Sequence, residues 1–313
     1  MKRLFNLVLT IFAFASLLFT STITTANTGE PIEPMTINGK DLYRYDVTNT
    51  PLGKKIAEEA TKRLESRYAL RVNSDDLKVY DLSTKPGERD LLIIPHEMEV
   101  VSVTRNWNSN GPVRMSVITA TTATPSEVTS DGDLDIQAAT YNQVAGSCFN
   151  RYYEYAGSSL QGWMDSCYKL YKYSQSIWDG SSYKDLYAMF HYGSAKSSLD
   201  WMLTRASLWS RQHPNSSPMQ WSDWNPRSDS SRNCGTVTLG FTYGVASVNM
   251  NFTQCDTWDI TKYSTPGEFR NDWKGASINS EREVAYAVQV TVPQNGWPQW
   301  YLYQDLDFVL NRP

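Results

Sequence analysis

Between Thr236 and Thr253 the chain alternates apolar and polar residues almost without a break. Val237, Leu239, Phe241 and Tyr243 interleave with Thr236, Thr238, Gly240 and Thr242. Beyond Gly244-Val245, Ala246, Val248, Met250 and Phe252 interleave with Ser247, Asn249, Asn251 and Thr253. A period of two on both sides of a Gly-x pair predicts a hairpin with a type II′ turn and one buried face. Its other face is Thr, Ser and Asn, so the sheet is antiparallel with one side in water. A second hairpin is expected across Pro293-Gln294-Asn295-Gly296, joining the stripe Val284, Tyr286, Val288, Val290 and Val292 to Trp300, Leu302, Leu306 and Phe308. Residues 168–173 and 185–195 are expected to pair across 179–182. Residues 198–212 fit a helix and a strand equally. Five to eight strands in about 170 residues point to a sandwich.

Nearer the N-terminus the period changes. Leu52, Ile56, Ala60 and Leu64 recur every four residues after Thr50-Pro51, which predicts a helix over 50–69 with Thr50 as N-cap and Pro51 as its first residue. Glu58 with Lys62 and Glu59 with Arg63 are i,i+4 pairs in the favourable order. Residues 77–82 and 91–105 read as strands, the second kinked at Pro95.

Composition divides the chain. Residues 40–105 carry 12 basic and 12 acidic side chains, whereas ten of the 11 Trp and 15 of the 19 Tyr lie at or after Tyr141. Met1-Lys2-Arg3, an apolar stretch over 4–19 and Thr24-Thr25-Ala26 have the three parts of a secretory signal, expected to be cleaved after Ala26. The apolar stretch is short for a membrane-spanning helix, which argues against an uncleaved anchor. The expected organisation is a signal peptide (1–26), a small charged α+β unit (27–118), a Thr/Ala/Ser/Asp-rich linker or edge segment (119–139) and an aromatic-rich β domain (140–313). The fold class is mainly β, an antiparallel sandwich-like C-terminal domain with a small α+β N-terminal unit. Export places the protein outside the cell, in an oxidising compartment.

Four cysteines in such a chain favour two disulfides. With Gly244-Val245 as the turn, facing residues have numbers that sum to 489, and 234 plus 255 is 489. Tyr243 and Ala246 close the turn as a hydrogen-bonded pair. Alternation outward then puts Cys234 opposite Cys255 at a non-hydrogen-bonded position, where side chains come closest. The expected pairing is Cys234–Cys255, leaving Cys148–Cys167. The spacings Cys-x18-Cys and Cys-x20-Cys do not suit zinc.

Little in the sequence marks a catalyst. The net charge of −4 argues against nucleic acid as a partner. Of three histidines, His191 sits in an aromatic strand and reads as a packed, hydrogen-bonded core residue, while His96 and His213 have no metal-site neighbours. No nucleophile elbow is present. Glu281 with Glu283, and Glu154 with Asp165, are acid pairs that read better as solvated edges than as a hydrolytic dyad. Asp131-Gly132-Asp133-Leu134-Asp135 fails as an EF-hand, with Ile136 where the turn needs Gly and Asn142 in place of Glu. No metal and no cofactor are expected.

Trp221 and Trp224 lie in a polar, turn-rich stretch, and Trp297 and Trp300 flank another turn. Flat aromatics beside Asp and Asn suit sugar stacking, and they suit plugs for the open ends of a sandwich equally. The resulting reading is a secreted, non-enzymatic protein whose β domain binds a surface ligand, either an extracellular glycan or a cell-surface protein. A β-pore-forming toxin and an extracellular carbohydrate-active hydrolase are the alternatives. The 236–253 hairpin has the alternation of a pore strand pair, but at about eight residues per strand, without a lumen charge, it falls short of a bilayer crossing. Membrane insertion is therefore not expected from the sequence.

Overall fold

The computed structural model describes residues 30–37, 40–68, 72–83, 88–106, 113–121, 139–155, 160–198 and 200–310. The signal segment and most of 119–139, including Asp131–Asp135, lie outside the described residues. The elements run β1 (Glu30–Ile37), β2 (Lys40–Asp46), α1 (Pro51–Tyr68), β3 (Leu77–Asp81), β4 (Glu88–Pro95), β5 (Met98–Asn106) and β6 (Val113–Thr121). There follow β7 (Tyr141–Tyr155), β8 (Leu160–Tyr173), β9 (Ile177–Trp178), β10 (Tyr183–Ser197), β11 (Trp201–Gln212) and β12 (Gln220–Asn225). The chain ends with β13 (Ser230–Tyr243), β14 (Ala246–Lys262), β15 (Phe269–Ser277), β16 (Arg282–Pro293) and β17 (Trp300–Leu310).

They form two antiparallel sheets. The first has the order β1-β2-β3-β4-β7-β8-β10-β16-β12, with β9 paired to β10; the second has the order β13-β14-β15-β11-β17-β6-β5. The inner face of the first sheet carries Tyr168, Met189, His191, Tyr286 and Val288, all buried. It packs on the second sheet, as Phe269 of β15 against Tyr286 shows, with ring centroids 5.1 Å apart. Trp258, Trp273 and Trp300 fill the core and are at most 1% exposed.

Several elements depart from the sequence expectation. Residues 91–105 are two strands: β4 ends at Pro95 in the first sheet, and β5 begins at Met98 in the second. The turn at His96-Glu97 is thus a handover between layers. β16 and β17 likewise do not pair. β16 lies between β10 and β12, while β17 lies between β11 and β6. β16 is buried on both faces, so its pattern does not say which layer it joins. The ambiguous stretch 198–212 is strand β11. The N-terminal strands also belong to the common sheets, since β4 pairs with β7 and β6 with β17. The shift in composition marks no break in the ladders.

Helix α1 starts as expected. Thr50 Oγ1 accepts from Gly53 N at 3.0 Å, which caps a free donor. Its buried face is Gly53, Ala57, Ala60 and Leu64 rather than the stripe from Leu52, which is 43% exposed. A spacing of four drifts off a 3.6-residue turn, so the two stripes meet only at Ala60 and Leu64. Gly53 has a specific cause: a Cβ there would lie 1.9 Å from the carbonyl oxygen of Val47.

Candidate functional site

The 234–255 hairpin forms in the expected register, from Tyr243 opposite Ala246 to Gly235 opposite Gln254. Gly244 has φ +59°, as the first corner of a type II′ turn requires. Both disulfides are present, Cys234–Cys255 with Cα atoms 4.1 Å apart and Cys148–Cys167 with Cα atoms 4.0 Å apart.

Sequence reasoning missed where this hairpin goes. β14 pairs with β15 only over Thr257–Lys262, and β13 pairs only with β14. Beyond the disulfide, residues 235–254 form a two-stranded ribbon with no third strand beside it among the described residues. The ribbon crosses to the outer face of the first sheet. Phe241 meets Phe190 at 6.2 Å between centroids, Phe252 meets Tyr192 at 5.6 Å, and Tyr243 meets Tyr173 at 5.2 Å. Leu239, Phe241, Ala246, Val248 and Phe252 are buried, while Thr236, Thr238, Thr242, Ser247, Asn249, Asn251 and Thr253 are exposed. Among the described residues its polar ties are few: Asn225 Nδ2 donates to Gly240 O at 3.4 Å, and Glu283 Oε2 accepts from Thr253 N.

Helix α1 lies on the same outer face, beside the ribbon. Tyr68 packs edge-on against Tyr192 at 5.5 Å and hydrogen-bonds through its hydroxyl to Ser194 Oγ at 2.9 Å. Arg63 reaches Asp165 at 3.1 Å and Arg67 reaches it at 3.7 Å. Their guanidinium carbons stand 5.4 and 5.1 Å from the Trp163 ring centre. Asp165 is fully buried, and burial raises its carboxyl above the usual range against the opposing pull of the two arginines. The signal for this anchor was an aspartate inside the aromatic strand Trp163-Met164-Asp165-Ser166-Cys167-Tyr168. Its partners lie about a hundred residues away, beyond the reach of spacing arguments.

The four candidate tryptophans do not form one site. Trp221 and Trp224 lie on edge strand β12 rather than in a loop. The register shifts between Trp221 and Asp223, so residues three apart share a face. Their rings are 6.0 Å apart at 68°. Lys262 Nζ stands 4.7 and 4.6 Å from their ring centres, and the Arg227 guanidinium is 4.4 Å from that of Trp224. Trp297 packs on Tyr187 at 5.6 Å, and Trp300 is buried in the core.

His191 is the packed residue the sequence predicts. It is fully buried between Ser166 Oγ at 2.8 Å and Tyr286 OH at 2.9 Å. Burial pushes its imidazole down to about 3. Among the described residues no group of three or more His, Cys, Asp or Glu could hold a metal ion.

No family model and no curated protein sequence matches this chain. Among solved structures, Clostridium perfringens delta-toxin is similar at 9% identity with a TM-score of 0.24, over 71% of this chain and 79% of that one. The Clostridium perfringens NetB toxin in its membrane-inserted form is similar at 11% identity with a TM-score of 0.18, over 55% of this chain and 95% of that one. Scores this low establish neither a shared fold nor a shared function.

Proposed function

We propose that this is a secreted, non-enzymatic, membrane-acting protein that stows the β13–β14 ribbon as a hairpin for insertion into a lipid bilayer. The observation that carries the reading is a two-faced ribbon lying on an already completed sandwich, with no strand neighbour to unpair among the described residues. From the disulfide to the turn each strand has nine residues, Gly235 to Tyr243 and Ala246 to Gln254. That reaches the roughly 9–11 residues a tilted transmembrane strand needs. The lack of Asp, Glu, Lys and Arg between Cys234 and Cys255, which leaves the polar face without a lumen charge, also leaves no ionised side chain to carry across the bilayer. The Cys234–Cys255 bridge joins the ribbon's own two strands, so it lets the ribbon move as a unit. Burying a large apolar side chain is worth about 1.5–3 kcal/mol, so Leu239, Phe241, Val248 and Phe252 leave the sheet only for another apolar medium.

The test is dye release from phosphatidylcholine–cholesterol vesicles and from cells, with a polarity-sensitive fluorophore on Val245→Cys. Val245 is 86% exposed at the ribbon tip, so the label should not disturb the soluble fold. Release with a blue shift is expected, and Thr238→Asp, on the polar face, should turn the conductance toward cations. No release from either membrane, with an unshifted probe, would remove this reading.

A second reading is a binder of a surface glycan or protein. It is supported by the half-buried Trp221–Trp224 pair on edge strand β12, with Lys262 and Arg227 over its rings. A glycan array with Trp221→Ala and Trp224→Ala separates it, because a pure binder should lose ligand and never empty vesicles.

A further inference from the structure

Three neighbouring strands on the outer face of the first sheet each contribute one residue to a single row. Trp163 of β8 stands opposite Tyr152 of β7 and opposite Lys196 of β10. The next row inward is Asn150, Asp165 and Ser194, where Arg63 and Arg67 anchor the helix. A cavity of about 290 Å³ opens over the outer row, lined by Arg63, Tyr152, Trp163, Lys196, Ser198 and Asn279.

Charge accounting narrows what this cavity accepts. Arg63 is engaged by Asp165, and Arg67, just behind it, by Asp165 and Glu281. The hydroxyl of Tyr152 donates to Glu154 Oε2 at 2.9 Å, and Glu154 in turn pairs with Arg89 at 3.5 Å. Lys196 is half-buried and has no ion pair among the described residues. One uncommitted cation, two aromatic residues, a hydroxyl and an amide therefore converge on a small concavity. A phosphate dianion calls for several cationic donors, and among the described lining residues Lys196 alone is a cation without an ion pair, since Arg63 faces Asp165. A monoanion with an apolar face and several hydroxyls fits better, its carboxylate on Lys196 and its ring against Tyr152 and the edge of Trp163.

We propose that this cavity is a binding site for a carboxylate-bearing monosaccharide, recognised through Lys196. The site lies apart from Trp221 and Trp224 and does not depend on the hairpin reading, since dye release and sugar binding are measured separately.

Isothermal titration with the methyl glycoside of N-acetylneuraminic acid and with methyl glucuronide tests it, with methyl glucoside and sodium sulfate as controls. At least one acidic glycoside should bind with a Kd of about 1 mM or tighter, and methyl glucoside at least about tenfold more weakly. Lys196→Gln should weaken that binding about tenfold or more with an unchanged Tm, while Trp221→Ala should leave it intact. Binding that ignores the carboxylate, binding that survives Lys196→Gln, or competition by sulfate as strong as that of the glycosides would overturn the proposal. Absence of binding by both acidic glycosides would overturn it as well.

Discussion

His191 shows how far a single residue can be read from its neighbours. An imidazole flanked by Met189, Phe190 and Tyr192 is expected to be packed and hydrogen-bonded, and it is. What the sequence does not say is the electrostatic consequence. Burial holds the folded-state value near 3, while an unfolded chain titrates near 6.5. Between these values the unfolded state binds a proton that the native state refuses, so stability falls as pH drops from about 6.5 toward 3. The full shift corresponds to a loss on the order of 5 kcal/mol at the acid end. Urea unfolding at pH 7, 5.5 and 4 should show this decline, and His191→Gln should flatten it. A wild-type slope unchanged by the substitution would assign the acid sensitivity to other groups. Asp165 is the opposite case. Its environment is made by Arg63 and Arg67 from a distant helix, and nothing local announces it. Trp300 likewise looks in the sequence like its ligand-candidate neighbours, and only the course of β17 through the core separates it from them.

At the scale of elements, local rules were reliable wherever both halves of the pattern lie close in sequence. The ribbon's register and the Cys234–Cys255 pairing followed from one turn and one alternation. The partners of β16 did not, because a strand buried on both faces shows no alternation to say which layer it joins. Helix α1 falls between these cases: its ends were legible, but its buried stripe is set by a single close approach at Gly53. Alanine there would gain about 1 kcal/mol of helix propensity, yet its Cβ would stand 1.9 Å from the Val47 carbonyl oxygen. Overpacking of this kind costs roughly 1–3 kcal/mol, and against backbone it has little room to relax. Gly53→Ala should therefore destabilise the protein in urea unfolding, contrary to its propensity. A gain in stability would mean that the helix can shift away from the turn at Val47.

For the molecule as a whole, the composition shift near residue 119 was visible, but its structural meaning was not. Strand pairing ignores charge content: the ladders from β4 to β7 and from β6 to β17 bind the charged N-terminal part into both sheets. Inner-face residues of both parts share one core, with Leu92, Ile94, Val103, Met115 and Val117 in the same cluster as Phe149, Met189 and Trp273. These facts predict how the protein responds to a cut in the connecting segment. A protease site engineered at Asp131-Gly132 leaves Cys148–Cys167 and Cys234–Cys255 both on the C-terminal fragment, so no disulfide bridges the nick. Any cohesion must then come from the sheets and the shared core. The nicked protein should elute from a gel-filtration column as one body of about the uncut size and separate into two fragments only in denaturant. Its unfolding should also remain a single transition, because β7 and β17, interior in the intact sheets, become edges when the N-terminal strands leave and the shared core is opened. Two species eluting separately in native buffer would mean that the N-terminal part is an autonomous unit, as its composition alone implies.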